Sequence, residues 1–262
     1  MLKWYEQVKM EPGKYYVSNR IRLARNWSEY HFPRRLRNDE ASEMVQRMRD
    51  ALQELPMQQH ENVRDCLLTE VPEIRRMAMR ERRVLSSSIL ERKAPVGLFL
   101  SESENLSLVL NGDDHIRLQL MGPNLGMEEL YRNIDRLDDF MNRQFEYAFD
   151  AHYGYLTSFP TNVGTGMRAN IVLHLPMLAQ SKQFPKLLES LGQFVVNIRG
   201  VYGDGKENHG ALFDLSNART LGVSEQEIMN LVKKTAMQLN SEEEKLRTYS
   251  IESNRLERTD EV

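Results

Sequence analysis

The chain has 262 residues, with 35 Lys and Arg against 38 Asp and Glu, a net charge of −3 and 40% hydrophobic side chains. It is long enough for a sizeable core without staples, and its one cysteine, Cys66, excludes an internal disulfide framework or a thiolate zinc site. No apolar run or leader-like start is visible, and near-neutral charge speaks against nucleic acid as partner, so a reduced, cytoplasmic protein without membrane contact is expected.

In chain order, Ser18-Asn19-Arg20-Ile21-Arg22 sets two arginines at period 2, so in extended chain both face one side. Arg34-Arg35-Leu36-Arg37 reads as a solvated turn, with a basic surface for acidic protein partners as the alternative. From Asn38, residues Ala41, Met44, Val45, Met48, Leu52 and Leu55 recur at helical spacing, with Asn38 or Asp39 as the expected cap. Cys66 reads as a buried small hydrophobe. Leu106, Leu108 and Leu110, then Asn111-Gly112, then Ile116, Leu118 and Leu120 describe a hairpin with one buried face. Arg117 and Gln119 then belong on the accessible face. A second helix is expected at Met127–Ala148, with Leu130, Ile134, Leu137, Met141, Phe145 and Ala148 as its stripe. Strands are expected at Asn170–Leu175, Phe194–Arg199 and Ala211–Leu215. A third helix opens at Ser224, where Ser224 and Glu227 match a capping box. Hairpins and helices without regular βαβ alternation predict an α+β fold, a largely antiparallel sheet flanked by helices.

Arginine recurs beside strand and turn signals. Besides Arg20 and Arg22, Arg117 lies in the hairpin, Arg168 closes the Gly-rich stretch Asn162–Arg168, and Arg199 enters the turn Gly200–Gly205. Converging guanidinium forks suit a polyphosphate, because each binds phosphate oxygens bidentately and stays charged. Neighbouring glycines let backbone approach such a ligand closely. Against this, a single arginine is ordinarily a solvated charge and a glycine-rich turn ordinarily only a turn. GTGMR matches neither a Walker loop nor a dinucleotide fingerprint. None of the six histidines has metal-ligand spacing, and only His115 is expected near the site.

Four ordered segments change the weighting: SNRIRLARN at Ser18–Asn26, NGDDHIRLQ at Asn111–Gln119, FPTNVGTGMRA at Phe159–Ala169 and RGVYGDGKE at Arg199–Glu207. Together they resemble the catalytic domain of the phosphagen kinase (ATP:guanido phosphotransferase) family, and within it the bacterial protein arginine kinases. The resemblance runs from about Val17 to Arg258. It implies a glutamine synthetase-like catalytic fold and transfer of the γ-phosphoryl group of ATP, with Mg2+ bound through the nucleotide, to the guanidinium of protein arginines. The first arginine motif begins at Ser18, leaving no room for the helical domain that precedes it in kinases of free guanidines. The implied division is 1–16 as an N-terminal extension, 17–248 as the catalytic domain and 249–262 as the start of a C-terminal helical region otherwise absent. The length is then that of a truncated or naturally reduced form lacking phosphoarginine sensing.

The resemblance assigns nucleotide contacts to Ser18, Asn19, Arg20, Ile21, Arg22, Arg117, Arg168, Ala169, Asn170, Ile171 and Val172. It adds Arg199, Gly200, Val201, Tyr202, Gly203 and Asp204, and by loose alignment Arg83. Arg168 joins the catalytic group. Asp113 and Asp204 would orient the substrate guanidinium and take its proton, with Phe159 beside it. Arg25 shares the first motif but fits a structural role equally, and Asp114 fits a turn-stabilising one. Three departures stand out: aspartate at 113 and 204 where the family usually has glutamate, Gly112 where it has an acid, and Phe159 where it has a cysteine. Aspartate withdraws the carboxylate by about one C–C bond, ~1.5 Å. Phe159 offers at most a cation–π face, and a core aromatic is its plainer reading. These departures keep open a catalytically weakened nucleotide-binding relative with a regulatory or scaffolding role, alongside a kinase of a free guanidino compound. Implied partners are proteins with exposed arginines, a zinc-finger activator protein and the Clp protease system.

Overall fold

The computed structural model describes residues 2–7, 15–55, 62–123, 126–182, 184–192, 196–201 and 209–260. The first strand of the chain becomes the middle of its sheet. β1 (Tyr16–Arg25) pairs antiparallel with β5 (Ile116–Pro123) on one side and β8 (Met167–His174) on the other. Beyond β5 lie β4 (Leu106–Leu110), β3 (Gly97–Ser101) and β2 (Val63–Leu67). Beyond β8 lie β10 (Leu212–Asn217) and β9 (Val196–Gly200). All pairings in this eight-stranded sheet are antiparallel. A small second sheet joins β6 (Phe149–Asp150) and β7 (Gly154–Tyr155). The expected α+β architecture is observed.

Period-2 alternation divides the large sheet into two chemically different faces. Ile21 and Leu23 of β1, Leu118 and Leu120 of β5, Ala169 and Ile171 of β8 and Leu215 of β10 all point one way and are buried. They meet α1 (Asn38–Ala51) through Met44, Val45 and Met48, and α4 (Met127–Gln144) through Ile134, Leu137 and Met141. α7 (Glu225–Asp260) adds Ile228, Val232 and Leu239 to the same core. Each fully buried aliphatic side chain contributes about 1.5–3 kcal/mol, so this face holds the fold together. On the other face only the β2–β4 end is covered by apolar packing. There α2 (Glu73–Glu81), α3 (Ser87–Leu90) and the turn between them lay Met79, Val84, Leu85 and Ile89 on Leu98, Leu100 and Val109.

Helix limits differ from the sequence expectation in two places. α1 is capped by Arg37, in extended conformation, whose backbone N–H donates to Glu40 Oε2 at 3.0 Å; neither Asn38 nor Asp39 is the cap. α4 stops at Gln144 because Phe145 turns to extended backbone, φ −134° and ψ 106°, while its ring stays in the core. α7 begins as expected: Ser224 N–H donates to Glu227 Oε2 at 2.7 Å and Glu227 N–H to Ser224 Oγ at 3.3 Å. α5 (Pro176–Gln180) and α6 (Phe184–Gly192) link β8 towards β9. At the amino end, Trp4 is buried and its backbone N–H donates to Ser103 O at 2.9 Å, so residues 2–7 pack on the body that carries the large sheet. α7 passes residue 248 without a break.

One buried ion pair locks β1 to α4. Arg25 donates from Nε and Nη2 to Asp138 Oδ2, at 3.0 and 2.7 Å, and from Nη1 to the carbonyls of Ala24 and Thr165. Its guanidinium also lies 3.6 Å from the Tyr155 ring centroid. Arg25 is therefore structural. Removing one member of such a pair leaves an uncompensated buried charge. Asp138→Ala is expected to lower stability by about 3–5 kcal/mol, read as a lower urea midpoint; a loss below about 1 kcal/mol contradicts this role.

Candidate active site

The antiparallel register gathers the arginines that the sequence scatters. Arg22 of β1 sits between Gln119 of β5 and Arg168 of β8, and Arg20 sits beside Asn170 of β8. Arg117 lies opposite Ala24, while Arg199 of β9 lies opposite Asp214 of β10. All project from the face opposite the helical core. Arg83, expected only from a loose alignment, joins them from the α2–α3 turn and pairs with the Asp214 carboxylate.

The hairpin expectation needs correction here. Arg117 and Gln119 are not on an accessible face; they are 6% and 1% exposed. The α2–α3 segment lies over them, and its Ser86 Oγ accepts from Arg117 Nη1 at 3.1 Å. Gln119 Nε2 donates to Arg83 O at 3.0 Å and to Ser107 Oγ at 3.2 Å. The strand alternates as read, but both its sides are covered.

Six guanidinium groups, those of Arg20, Arg22, Arg83, Arg117, Arg168 and Arg199, thus share this region with few acids. Burial, reinforced by Arg22, pushes Arg117 down to about 9. Burial and Arg83 hold Arg20 well below the ordinary arginine value, with Asp214 opposing them. Burial also lowers Arg22, and burial with the Arg22 and Arg199 charges lowers Arg168. Asp214 is the main counterweight: Oδ2 accepts from Arg83 and, at 3.4 Å, from Arg20, while Oδ1 accepts from Asn170 Nδ2 at 3.0 Å. Even so, Nε of both Arg20 and Arg117 is buried without a hydrogen-bond partner. Unpaired buried donors are costly, and a polyanion supplies acceptors and charge together. The donor set fits the phosphates of a nucleotide.

Asp113 stands at the rim of this cluster, half-buried in the β4–β5 loop. A hydroxyl relay positions it: Ser88 Oγ donates to Asp113 Oδ2 at 3.2 Å, lies 2.9 Å from Ser86 Oγ, and through it reaches Arg117. Asp114 is instead an anchor, buried and accepting on Oδ1 from Asn26 Nδ2 at 2.8 Å and Ser158 N–H at 2.6 Å. Burial raises its pKa, with these bonds opposing.

Several assignments change with the coordinates. The side chains of Ile21, Ala169 and Ile171 point into the helix-packed core, fully buried, so their contribution is to hold the flanking arginines in register. Ser18, Asn19 and Val172 are buried too. Gly200 is exposed, and Val201 continues the β9–β10 pairing by donating to Leu212 O at 2.9 Å. Tyr202, Gly203 and Asp204 lie outside the described residues. The glycines of the GTG stretch face protein, not an open ligand space. A Cβ on Gly164 (φ 109°) would lie 2.2 Å from Thr220 O, and one on Gly166 (φ 62°) 2.6 Å from Ala24 O. Phe159 is no core residue: it is half-buried, and the Arg34 guanidinium carbon lies 5.2 Å from its ring centroid. Cys66 is half-buried on the edge strand, with burial raising its thiol pKa. His115 adjoins the site in sequence but serves the scaffold, since Nδ1 accepts from Trp27 N–H at 3.1 Å and Nε2 meets His31 O at 2.9 Å.

Asp214, Ser86 and Ser88 were not singled out by sequence reasoning. Asp214 had a readable signal: in Phe213-Asp214-Leu215 the apolar neighbours claim the core face and leave the carboxylate on the arginine face. The two serines had none, since their roles depend on where α3 crosses the sheet.

A family model described as the ATP:guanido phosphotransferase C-terminal catalytic domain matches residues 43–246. The chain is 35% identical to the "Protein-arginine kinase" of Bacillus subtilis (strain 168), over 94% of this chain and 68% of that protein. It is 33% identical to that of Brevibacillus brevis, over 94% and 69%. Among solved structures it is similar to lombricine kinase, with TM-score 0.76 and 21% identity over 93% of this chain and 71% of that one. The duplicated taurocyamine kinase of Schistosoma mansoni with bound transition state analog components gives TM-score 0.76 and 24% identity, over 91% of this chain and 35% of that one. The last two carry the fold alone.

Two measurements test the site. Removing a buried charge that lacks a full set of partners relieves strain in the empty protein. Inorganic tripolyphosphate is expected to raise the melting temperature of the parent protein, and Arg117→Met to abolish that shift while raising apo stability by about 1–4 kcal/mol. A less stable apo variant that keeps the tripolyphosphate shift contradicts the cluster's role. Burial, aided by Arg92 and opposed by its hydrogen bonds, pushes His115 from 6.5 down to about 4. The unfolded chain binds that proton first, so stability is full above about pH 6.5 and falls as the pH drops towards 4. Between pH 6.5 and 5 the loss is expected at about 1.4 kcal/mol per pH unit, and His115→Gln should flatten the slope of the urea midpoint in that window.

Proposed function

The chain belongs to the ATP:guanido phosphotransferase family, and from that premise we propose that it phosphorylates arginine residues of proteins, using MgATP. The observation that carries this reading is the cluster of buried guanidinium groups, short of counter-charge, with one carboxylate at its rim. Arg20, Arg22, Arg117, Arg168 and Arg199 hold the phosphates of the nucleotide and the travelling phosphoryl group, and Arg83 braces Asp214 beside them. Phosphoryl transfer passes through a loose transition state, so positioning and charge neutralisation do most of the work. Mg2+ enters with the nucleotide, carried on its phosphates.

The acceptor needs help, because a guanidinium stays protonated far above neutral pH and is then no nucleophile. Asp113, with Asp204 as its partner by resemblance, orients the substrate guanidinium and takes its proton as the N–P bond forms. The bond from the γ-phosphorus to the bridging oxygen breaks, ADP leaves with that electron pair, and a phosphoramidate remains on the arginine. Protein substrates with exposed arginines follow from this reading; a zinc-finger activator protein, the Clp protease system and a cytoplasmic location are its finer extensions. No described helix is long and apolar enough to cross a membrane.

A second reading, a nucleotide-binding relative with weakened catalysis, is favoured by one observation: Arg34 already sits over Phe159, the ring assigned to the substrate guanidinium. The two readings separate in one assay. With MgATP and an arginine-containing protein, acid-labile phosphoramidate is expected by phosphorus NMR. Asp113→Asn is expected to lower turnover at least ~100-fold, the scale of general-base loss, with MgATP affinity within about twofold. MgATP binding without any phosphoramidate selects the second reading, and unchanged turnover in the variant removes Asp113 from the mechanism.

A further inference from the structure

A groove of about 420 Å³ opens beside the Asp113 loop, lined by Tyr30, His31, Phe32, Arg34, Arg35 and Ser158. Four hydrogen bonds, two of them from Arg92, tie the groove's segments to the loop that carries Asp113. Ser158 N–H donates to Asp114 Oδ1 at 2.6 Å, His115 Nε2 meets His31 O at 2.9 Å, and Arg92 Nη2 joins Pro33 O at 3.4 Å to Asn111 Oδ1 at 3.0 Å. The groove is thus held in fixed relation to the carboxylate that faces the substrate.

Its chemistry is basic and aromatic. Arg34 and Arg35 are both exposed, and among the described residues neither forms an ion pair. The Arg34 guanidinium rests over Phe159, which holds its fork in place. Ser158, at the groove wall, is taken up by Asp114, which it holds through its backbone N–H. Two exposed guanidinium forks, without ion-pair partners among the described residues, complement a carboxylate on a short side chain. A bare phosphate polymer has no use for the aromatic walls.

We infer that this groove is a substrate subsite that takes an acidic residue flanking the target arginine, so that the protein selects arginines with a neighbouring Asp or Glu. The inference rests on the kinase reading for its biological sense, but the groove's preference is a binding property and is measurable without turnover. Arg34 and Arg35 act here as specificity-determining residues, drawing the flanking carboxylate in while the arginine reaches Asp113.

Fluorescence anisotropy of labelled peptides on the full chain with MgADP tests it. The peptides carry one arginine flanked by glutamates, by glutamines or by lysines. The glutamate peptide is expected to bind about tenfold more tightly than the glutamine peptide, equivalent to ~1.4 kcal/mol, and the preference should shrink with added salt. In the Arg34→Gln/Arg35→Gln double variant the ratio is expected to fall to about one, and in Arg34→Glu/Arg35→Glu the lysine peptide should bind best. Circular dichroism confirms folding, and Arg37→Gln serves as a surface-charge control that keeps the preference. Equal affinity for glutamate and glutamine peptides in the parent protein overturns the inference. So does a preference that survives both double variants, or one that Arg37→Gln abolishes equally. A single-stranded oligonucleotide bound through Arg34 and Arg35, with no discrimination among peptides, overturns it in favour of a phosphate site. Phosphoramidate formation is followed in parallel: peptide preference without product leaves the subsite standing and removes the kinase reading, whereas product without preference does the reverse.

Discussion

The crowding of Arg20, Arg22, Arg117 and Arg168 on one face of an antiparallel sheet is the constraint around which the rest of the molecule is arranged. Four like charges in a partly dry region repel one another, and removal from water adds to the cost. The opposite face offsets this with a dense apolar contact between four strands and the helices α1, α4 and α7. On the arginine face, Asp214 draws in Arg20 and Arg83, and Arg25 is withdrawn altogether into a separate buried pair with Asp138. What remains is a set of donors that the protein itself does not satisfy. A ligand rich in negative oxygen would complete them, and the electrostatic cost of the cluster would then become affinity.

The supports of the site come from elements distant in sequence. The α2–α3 segment covers Arg117 and presents Ser86 and Ser88, which link that arginine to Asp113. The stretch from Ser158 to Gly166 docks on Asp114, Thr220 and Arg25, and its glycines are needed because backbone meets backbone there. Asp114 and His115, which follow Asp113 in the chain, spend their polar atoms on the scaffold. Asp113 is held instead by the Ser88 hydroxyl, at the rim of the arginine cluster.

Much of this was legible in residue patterns, and the failures share a cause. The capping box at Ser224 and Glu227 and the hairpin of alternating leucines read correctly because both signals are local. The expected accessible face for Arg117 and Gln119 was wrong because alternation reports which side a residue takes, not what covers that side. Phe145 continued the helical stripe yet ends the helix, since a core position can be filled from either backbone conformation. Phe159 looked like core and is half-buried under Arg34, a contact between segments more than a hundred residues apart in sequence.

By itself the sequence determined the two-faced character of the strands, the helices that cover one face, and the set of arginines and aspartates that point to phosphoryl transfer. These follow from periodicity, capping chemistry and ordered motifs, all carried by residues close together in the chain. Only the tertiary structure decided which arginines meet, that Arg25 leaves the cluster for Asp138, that Asp214 and the α3 serines enter it, and that a basic groove opens beside Asp113. Those outcomes depend on strand register and on long-range packing, where the distance between two charges is set by the fold and not by their separation in sequence.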